Sequence, residues 1–304
     1  MMPDCRPTLL LINFHAGRFA DGAAVGHVLD ELTRGGTEEV LVRQTPAELT
    51  GDLDWIRPER YRRIVIMGGD GSLNNVINAF AAHGPLPPMA LIPAGTTSDF
   101  ARSLGLPLGN YRGAARVARD GEPSFLDLGR INRRFFSYIA CFGAFVTVAS
   151  DTPRELKRTL GHLAYMIEGL RSVLAVQPIR TRIHHEGTVY EESLLFGAIA
   201  NTTSIGGLLR LPAAQVDLSD GEFEALFVRA PANPLEVPAI LNTVLAGRLD
   251  DRNLLFFTAS KLELEFDEPV DFVADGEAVG KLDSVCIQNL HRALPFILPA
   301  RSRS

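Results

Sequence analysis

The strongest constraint on the fold is a short apolar run that ends in a cluster of glycines. Residues 64–67 read Ile-Val-Ile-Met, brief and β-branched, as a buried strand does. Gly68-Gly69-Asp70-Gly71-Ser72 follows. Beyond it Leu73, Val76, Ile77 and Phe80 fall at i, i+3, i+4 and i+7, one face of a helix. A strand, a glycine turn and a helix start together offer unpaired backbone N–H groups and a helix dipole to an anion such as phosphate. Glycine has no Cβ, so the backbone there can approach a ligand closely. Asp70 sits badly against phosphate unless it holds a magnesium ion, directly or through water.

A second segment repeats the pattern. Residues 89–92 are apolar, and Pro93-Ala94-Gly95-Thr96-Thr97-Ser98-Asp99-Phe100-Ala101-Arg102 follows. Neighbouring strands of a parallel sheet end on one edge, where ligands bind, so two such turns converge on one pocket. Asp99 stands at a helix start and is either an N-cap or a metal ligand. Strand-like runs at 8–12, 40–42, 64–67 and 90–92 alternate with helical segments, which predicts a parallel α/β layer. Residues 110–119 read as a short helix with an arginine-rich, solvated face.

Downstream of residue 127 strands dominate, at 135–140, 179–184, 190–200, 223–228, 261–266, 271–274 and 284–289. Glycine, proline and acidic turns separate them, so an antiparallel β domain is expected. Residues 154–174 interrupt the strands with leucines at helical spacing and with Arg154, Lys157, Arg158 and Arg171. They form either a helix packed on the β domain or one that meets anionic lipid headgroups. Residues 234–245 read as a further helix, with Asn233 as its N-cap.

Bulk properties narrow the function. A chain of 304 residues can bury a large core and divides into two domains. Its net charge of −6 gives no electrostatic footprint for nucleic acid. Cys5, Cys141 and Cys286 are scattered and form no zinc or redox pattern, so a reducing cytoplasm is the expected compartment. No apolar run is long enough for a transmembrane segment. The lysines are Lys157, Lys261 and Lys281, so the N-terminal half holds neither a P-loop lysine nor a protein-kinase strand lysine. A nucleotide there would rely on amides, hydroxyls, arginine and magnesium.

These motifs resemble the soluble bacterial diacylglycerol kinase-like lipid kinases, relatives of the sphingosine kinases. The family's Gly-Gly-Asp-Gly-Thr turn is met by Gly68 to Ser72, with serine for threonine, and Val76 and Asn78 also match. Asn75 replaces a glutamate, which removes a carboxylate near the turn. Gly-Thr-x-Asn-Asp-Phe-Ala-Arg is met by Gly95, Thr96, Asp99, Phe100, Ala101 and Arg102, with Ser98 for asparagine. Asn13, Ala16 and Gly17 match the first-strand motif, with Phe14 for proline. Asp127-Leu128-Gly129, Asp220-Gly221 and Asp275-Gly276-Glu277 complete a series that runs from about residue 8 to the end.

The resemblance implies an α/β plus all-β chain. It consists of a three-layer α/β nucleotide-binding domain over 1–127, completed by 290–304, and a β-sandwich-like lipid domain over 128–289, with the active site in the cleft between. It implies ATP held by Asn13, Thr45, Gly68, Gly69, Asp70, Gly71, Ser72 and Thr96. Asp70, Asp99 and Asp127 become a carboxylate network around catalytic magnesium, paired with Arg102. Asp275 or Glu277 becomes the general base, and the sequence does not choose between them. Asp220, with carbonyls of Asp217 and Glu222, becomes a structural magnesium site. The glycine-rich loop around Gly206 and Gly207 shapes the cleft. The expected reaction moves the ATP γ-phosphate to a lipid hydroxyl at a membrane surface, through peripheral contact and with room for a homodimer. The alternatives are an NAD kinase-like nucleotide kinase and an inactive nucleotide- or lipid-binding regulator.

Overall fold

A computed structural model describes residues 5–16, 22–36, 38–45, 54–95, 98–144, 177–202, 204–205, 209–210, 217–233 and 251–300. It also describes positions 49, 236–238, 240, 243 and 249. The helix expected at 154–174, Thr96, Gly17, the Gly206-Gly207 loop and most of the helix expected at 234–245 lie outside the described residues. The chain divides into two units, residues 1–128 with 291–304, and residues 129–290.

The first unit is a parallel α/β layer. Its strands are Thr8–Ile12 (β1), Val40–Gln44 (β2), Arg63–Gly68 (β3) and Met89–Pro93 (β4), in the order β4-β3-β1-β2. Each neighbouring pair is parallel. The returning C-terminal segment pairs Phe296 with Met89. Its helices are Gly22–Leu32 (α1), Asp70–Ala81 (α2), Asp99–Ser103 (α3) and Tyr111–Asp120 (α4). Side chains alternate across a strand. Leu10, Ile12, Val65, Met67, Ala90 and Ile92 therefore share one face and pack on Ala24, Val28 and Leu32 of α1 and the alanines of α4. The other face carries Leu9, Leu11, Ile64 and Ile66, and α2 covers it with Leu73, Val76, Ile77 and Phe80. These are three layers. The predicted α4 is present, capped by the Asn110 side chain, which accepts the Gly113 N–H at 2.8 Å.

The second unit is antiparallel β. Its strands are Glu122–Ile131 (β5), which enters from the first unit, Arg134–Phe136 (β6), Ile139–Gly143 (β7), Ile179–His185 (β8) and Thr188–Ala200 (β9). They continue with Ser204–Ile205 (β10), Leu209–Arg210 (β11), Phe223–Arg229 (β12), Leu254–Ala259 (β13), Lys261–Ala274 (β14) and Glu277–Leu298 (β15), whose last residues return to the first unit. The main order is β13-β12-β9-β7-β14-β15, with β8 bridging β14 and β9. Phe136, Phe142, Phe223, Phe227, Phe266 and Phe272 fill the core. Glycine makes room for two of these rings. A Cβ on Gly129 would lie 2.2 Å from the Phe136 ring, and one on Gly197 the same distance from the Phe142 ring.

Several strands differ from the sequence pattern. The run expected at 135–140 is split into β6 and β7, because the N–H groups of Ser137, Tyr138 and Ile139 turn to a carboxylate instead of a ladder. The runs at 261–266 and 271–274 join as β14, whose register shifts between Glu265 and Val270, the stretch that contains Pro269. The run at 284–289 extends without a break from Glu277 to Leu298 as β15. β5 and β13 were not anticipated.

One core position is chemically unusual. Glu224 on β12 is buried, and its Oε2 has no hydrogen-bond partner among the described residues. Burial pushes its carboxyl up to about 8, and the charges of Asp220 and Glu222 add to the shift. In the unfolded chain it titrates near 4.5. The native state therefore holds the extra proton between those values, and stability falls as pH rises through that window. Thermal melts of the parent should drop from pH 5 to pH 8 relative to Glu224→Gln, which loses this dependence. Parallel pH profiles for the two proteins would refute the assignment.

Candidate functional site

The site of the first unit is built on glycine. Gly69 follows β3 and Gly95 follows β4, and these two turns touch backbone to backbone. A Cβ added to Gly95 would lie 2.7 Å from the Gly69 Cα, and one added to Gly69 would lie 3.1 Å from the Gly95 Cα. Gly69 has φ −99°, so close approach rather than a left-handed backbone favours glycine there. It also leaves the start of α2 without a side-chain cap, and the first-turn N–H groups need partners from elsewhere. Gly71 and Ser72 stand in that turn, with Ser72 buried.

The same packing brings sequence-distant groups together. Asp70, buried in the first turn of α2, accepts the Asp99 N–H on its Oδ2 at 2.9 Å. Asp99 is itself buried and follows Ser98, whose φ of 51° bends the chain sharply into α3. Asp99 thus opens α3 while its own amide is held by a second carboxylate. Asn13, just beyond β1, donates from Nδ2 to Ser72 Oγ at 2.8 Å and accepts the His15 N–H at 2.9 Å. A Cβ on Gly68 would lie 2.6 Å from that Ser72 oxygen. Thr45, past the end of β2, donates its N–H to the Ile12 carbonyl at 2.8 Å. Its Oγ1 is buried without a hydrogen-bond partner among the described residues.

Asp127 is placed differently. It is fully buried on β5, and its Oδ1 accepts the Arg292 N–H at 2.7 Å and faces His291 Nδ1 at 3.1 Å. His291 and Arg292 belong to no motif, and no local sequence signal marks them. The one local sign is structural, a φ of 53° at Arg292 inside a long strand. Arg102 lies on the exposed side of α3, and its N–H donates to the Ser98 carbonyl. Asn78 matches the family pattern but donates within its own helix to the Asn74 carbonyl at 2.9 Å.

In the second unit Asp275 and Gly276 form the two-residue turn between β14 and β15, with φ of 50° and 85°. Positive φ at both positions is the mirror-image turn that Asp-Gly favours. The Asp275 carboxylate is buried and accepts the N–H groups of Ser137, Tyr138 and Ile139 and the Ser137 hydroxyl. Glu277, two residues on, is half-buried. In the turn from Asp217 to Glu222, Asp217 Oδ1 accepts the Ser219 amide and hydroxyl, and Asp220 Oδ1 accepts the Glu222 N–H. The Glu222 carbonyl accepts from Asn289 Nδ2 at 3.0 Å. Among the described residues no group of three or more His, Cys, Asp or Glu side chains forms a cation site.

The glycine contact makes a test that needs no ligand. Gly95→Ala must force the two turns apart, which should cost about 1–3 kcal/mol as overpacking does. Ser72→Ala loses one hydrogen bond and should cost about 1 kcal/mol. Urea denaturation measures both, and equal stabilities for Gly95→Ala and the parent would contradict the close approach.

Comparison with known proteins bears on the same architecture. Residues 7–131 match the diacylglycerol kinase catalytic domain, and residues 141–298 match the YegS C-terminal NAD kinase beta sandwich-like domain. A diacylglycerol kinase of Bacillus subtilis (strain 168) is 30% identical over 237 residues, 78% of this chain and 77% of that protein. One of Staphylococcus carnosus (strain TM300) is 30% identical over 258 residues, 84% of this chain and 83% of its own. A solved diacylglycerol kinase of Bacillus anthracis str. Sterne superposes with a TM-score of 0.77 at 21% identity, over 96% of this chain and 97% of that one, which supports the fold. Matching domains in the same order, over an α/β unit and an antiparallel β unit, place the chain in the bacterial diacylglycerol kinase-like lipid kinase family.

Proposed function

We propose that the chain is a magnesium- and ATP-dependent lipid kinase that transfers the γ-phosphoryl group to a hydroxyl of diacylglycerol or a related lipid. The observation that carries this reading is the Gly69–Gly95 contact, which seats Asp70 against the Asp99 amide beside an uncapped helix start. Phosphoryl transfer asks for positioning and charge neutralisation more than for covalent chemistry, and this arrangement supplies both. The α2 amides, the Ser72 hydroxyl and the Thr45 hydroxyl, which has no partner among the described residues, are donors for nucleotide phosphates and sugar. Asn13 fixes Ser72. Thr96 and Arg102 are further phosphate-side groups on this reading.

Asp70, Asp99 and Asp127 are buried oxygen donors, but among the described residues they do not come together as a direct cation site, so on this reading they would hold magnesium through waters. When bound, the ion neutralises charge on the phosphates. The turn at Asp220 offers one carboxylate and the carbonyls of Asp217 and Glu222, and we assign it a structural cation only.

Of the two candidate bases we favour Glu277. Four donors already converge on Asp275, so a substrate hydroxyl would have to displace one of them. Asp275 instead fixes the turn from which Glu277 departs. The substrate is a membrane lipid, so the protein works in peripheral contact with a bilayer. No described helix is long and apolar enough to cross one.

The experiment is radiolabelled-ATP transfer to a panel of diacylglycerol, phosphatidylglycerol, a sphingoid base and NAD. Phosphorylation of a lipid is expected, and phosphorylation of NAD alone would overturn the reading. Glu277→Gln should lower turnover about 10²–10⁴-fold with ATP affinity intact. Asp70→Asn should lose most turnover, because a neutral amide holds magnesium poorly. Asp275→Asn should lower the melting temperature, since an amide NH₂ would face donors. If Asp275→Asn melts normally and Glu277→Gln keeps full activity, the assigned roles are wrong.

A further inference from the structure

Strands β5 and β15 pair, and Asp127 on β5 meets His291 and Arg292 on β15. All three residues belong to the first unit. The Asp127 side chain is fully buried, whereas that of His291 is 55% exposed. Two donors reach the same carboxyl oxygen, Oδ1: the Arg292 N–H at 2.7 Å and His291 Nδ1 at 3.1 Å. A carboxylate accepts hydrogen bonds and cannot donate them, so this contact needs the imidazole proton on Nδ1.

The backbone at this point is unusual for a strand. Arg292 has φ 53°, in the left-handed region that a long side chain adopts only at a cost. The N–H of this same residue is the one donated to Asp127. Outliers of this kind gather where a geometry has to be fixed. The amide alone would let the carboxyl swing about that one bond, and a second donor from a different direction stops the swing. Carboxylates that serve a cation are oriented by such outer hydrogen bonds, and loss of the outer partner costs about 10–100-fold in metal affinity or activity.

We propose that His291 is a positioning residue, whose Nδ1–H acts with the Arg292 amide to fix the Asp127 carboxylate in the orientation that receives water-held magnesium. The inference rests on the role given to Asp127 under the proposed function and adds to it a residue from the far end of the chain. His291 acts through Asp127 and touches neither nucleotide nor lipid.

A substitution series separates positioning from packing. Asparagine sets its amide NH₂ near the place of Nδ1, glutamine sets it near Nε2, and leucine has no donor. The side chain is exposed, so His291→Asn, His291→Gln and His291→Leu should all fold, and melting without metal checks this. The first readout needs no ligand. In alkaline buffer, where the ring is neutral and one nitrogen carries the proton, nitrogen NMR of the histidine-labelled full chain should place that proton on Nδ1 of His291. The second readout is calorimetric titration of manganese with a non-hydrolysable ATP analogue. His291→Leu and His291→Gln should weaken manganese binding about tenfold or more, and His291→Asn should keep it near the parent. Lipid phosphorylation should follow the same order, through turnover and not through KM for the lipid. A proton on Nε2, a parent that binds no manganese, or manganese binding indifferent to all three variants would each overturn the proposal. The NMR and the titration use no lipid, so a chain that passes both and phosphorylates no lipid overturns the proposed reaction while upholding the role of His291.

Discussion

Everything at the candidate site rests on two peptide backbones that meet with no side chain between them. Gly69 and Gly95 belong to different strand–helix turns; a Cβ on Gly95 would collide with the Gly69 Cα, and one on Gly69 would press tightly on the Gly95 Cα. That proximity lets a carboxylate from one turn hold an amide of the other, at Asp70 and Asp99. Neighbouring parallel strands bring the turns to one edge but do not bring them into contact. The missing atoms do that.

The second unit solves a different problem with the same economy. The Asp275 carboxylate gathers amides from Ser137, Tyr138 and Ile139, and in doing so interrupts what would have been one strand. Loss of ladder bonds is offset by charge-assisted ones, which are about twice as strong. A tight turn with positive φ at Asp275 and Gly276 is thus tied down by its own side chain. Glu277, the residue just after the turn, therefore leaves from a fixed position.

Much of this was legible in the sequence. The glycine turns, the alternation of strand and helix and the split between an α/β and a β region all have local signals of period and punctuation. The Asp275-Gly276 turn announced itself too, but not the destination of its carboxylate. Long-range pairings leave no local trace. Nothing about Ser137 to Ile139 shows that their amides serve a residue far along the chain, so a continuous strand was the natural reading. Pro269 hid the continuity of β14, because proline usually ends a strand and here sits in a register shift. The partners of Asp127, His291 and Arg292, were invisible for the same reason.

That last grip bears on how the molecule is made. Asp127 holds the amide of Arg292, Phe296 is fully buried against Phe100, and the same residue pairs with Met89. The first unit is therefore incomplete until the final strand leaves the ribosome. At about 5–20 residues per second, the intervening residues 129–290 take on the order of ten to thirty seconds to synthesise. Throughout that time the edge of β4 waits uncovered. The nascent chain spends it with the β4 edge of its parallel layer unpaired, and translation speed becomes a parameter of its folding yield.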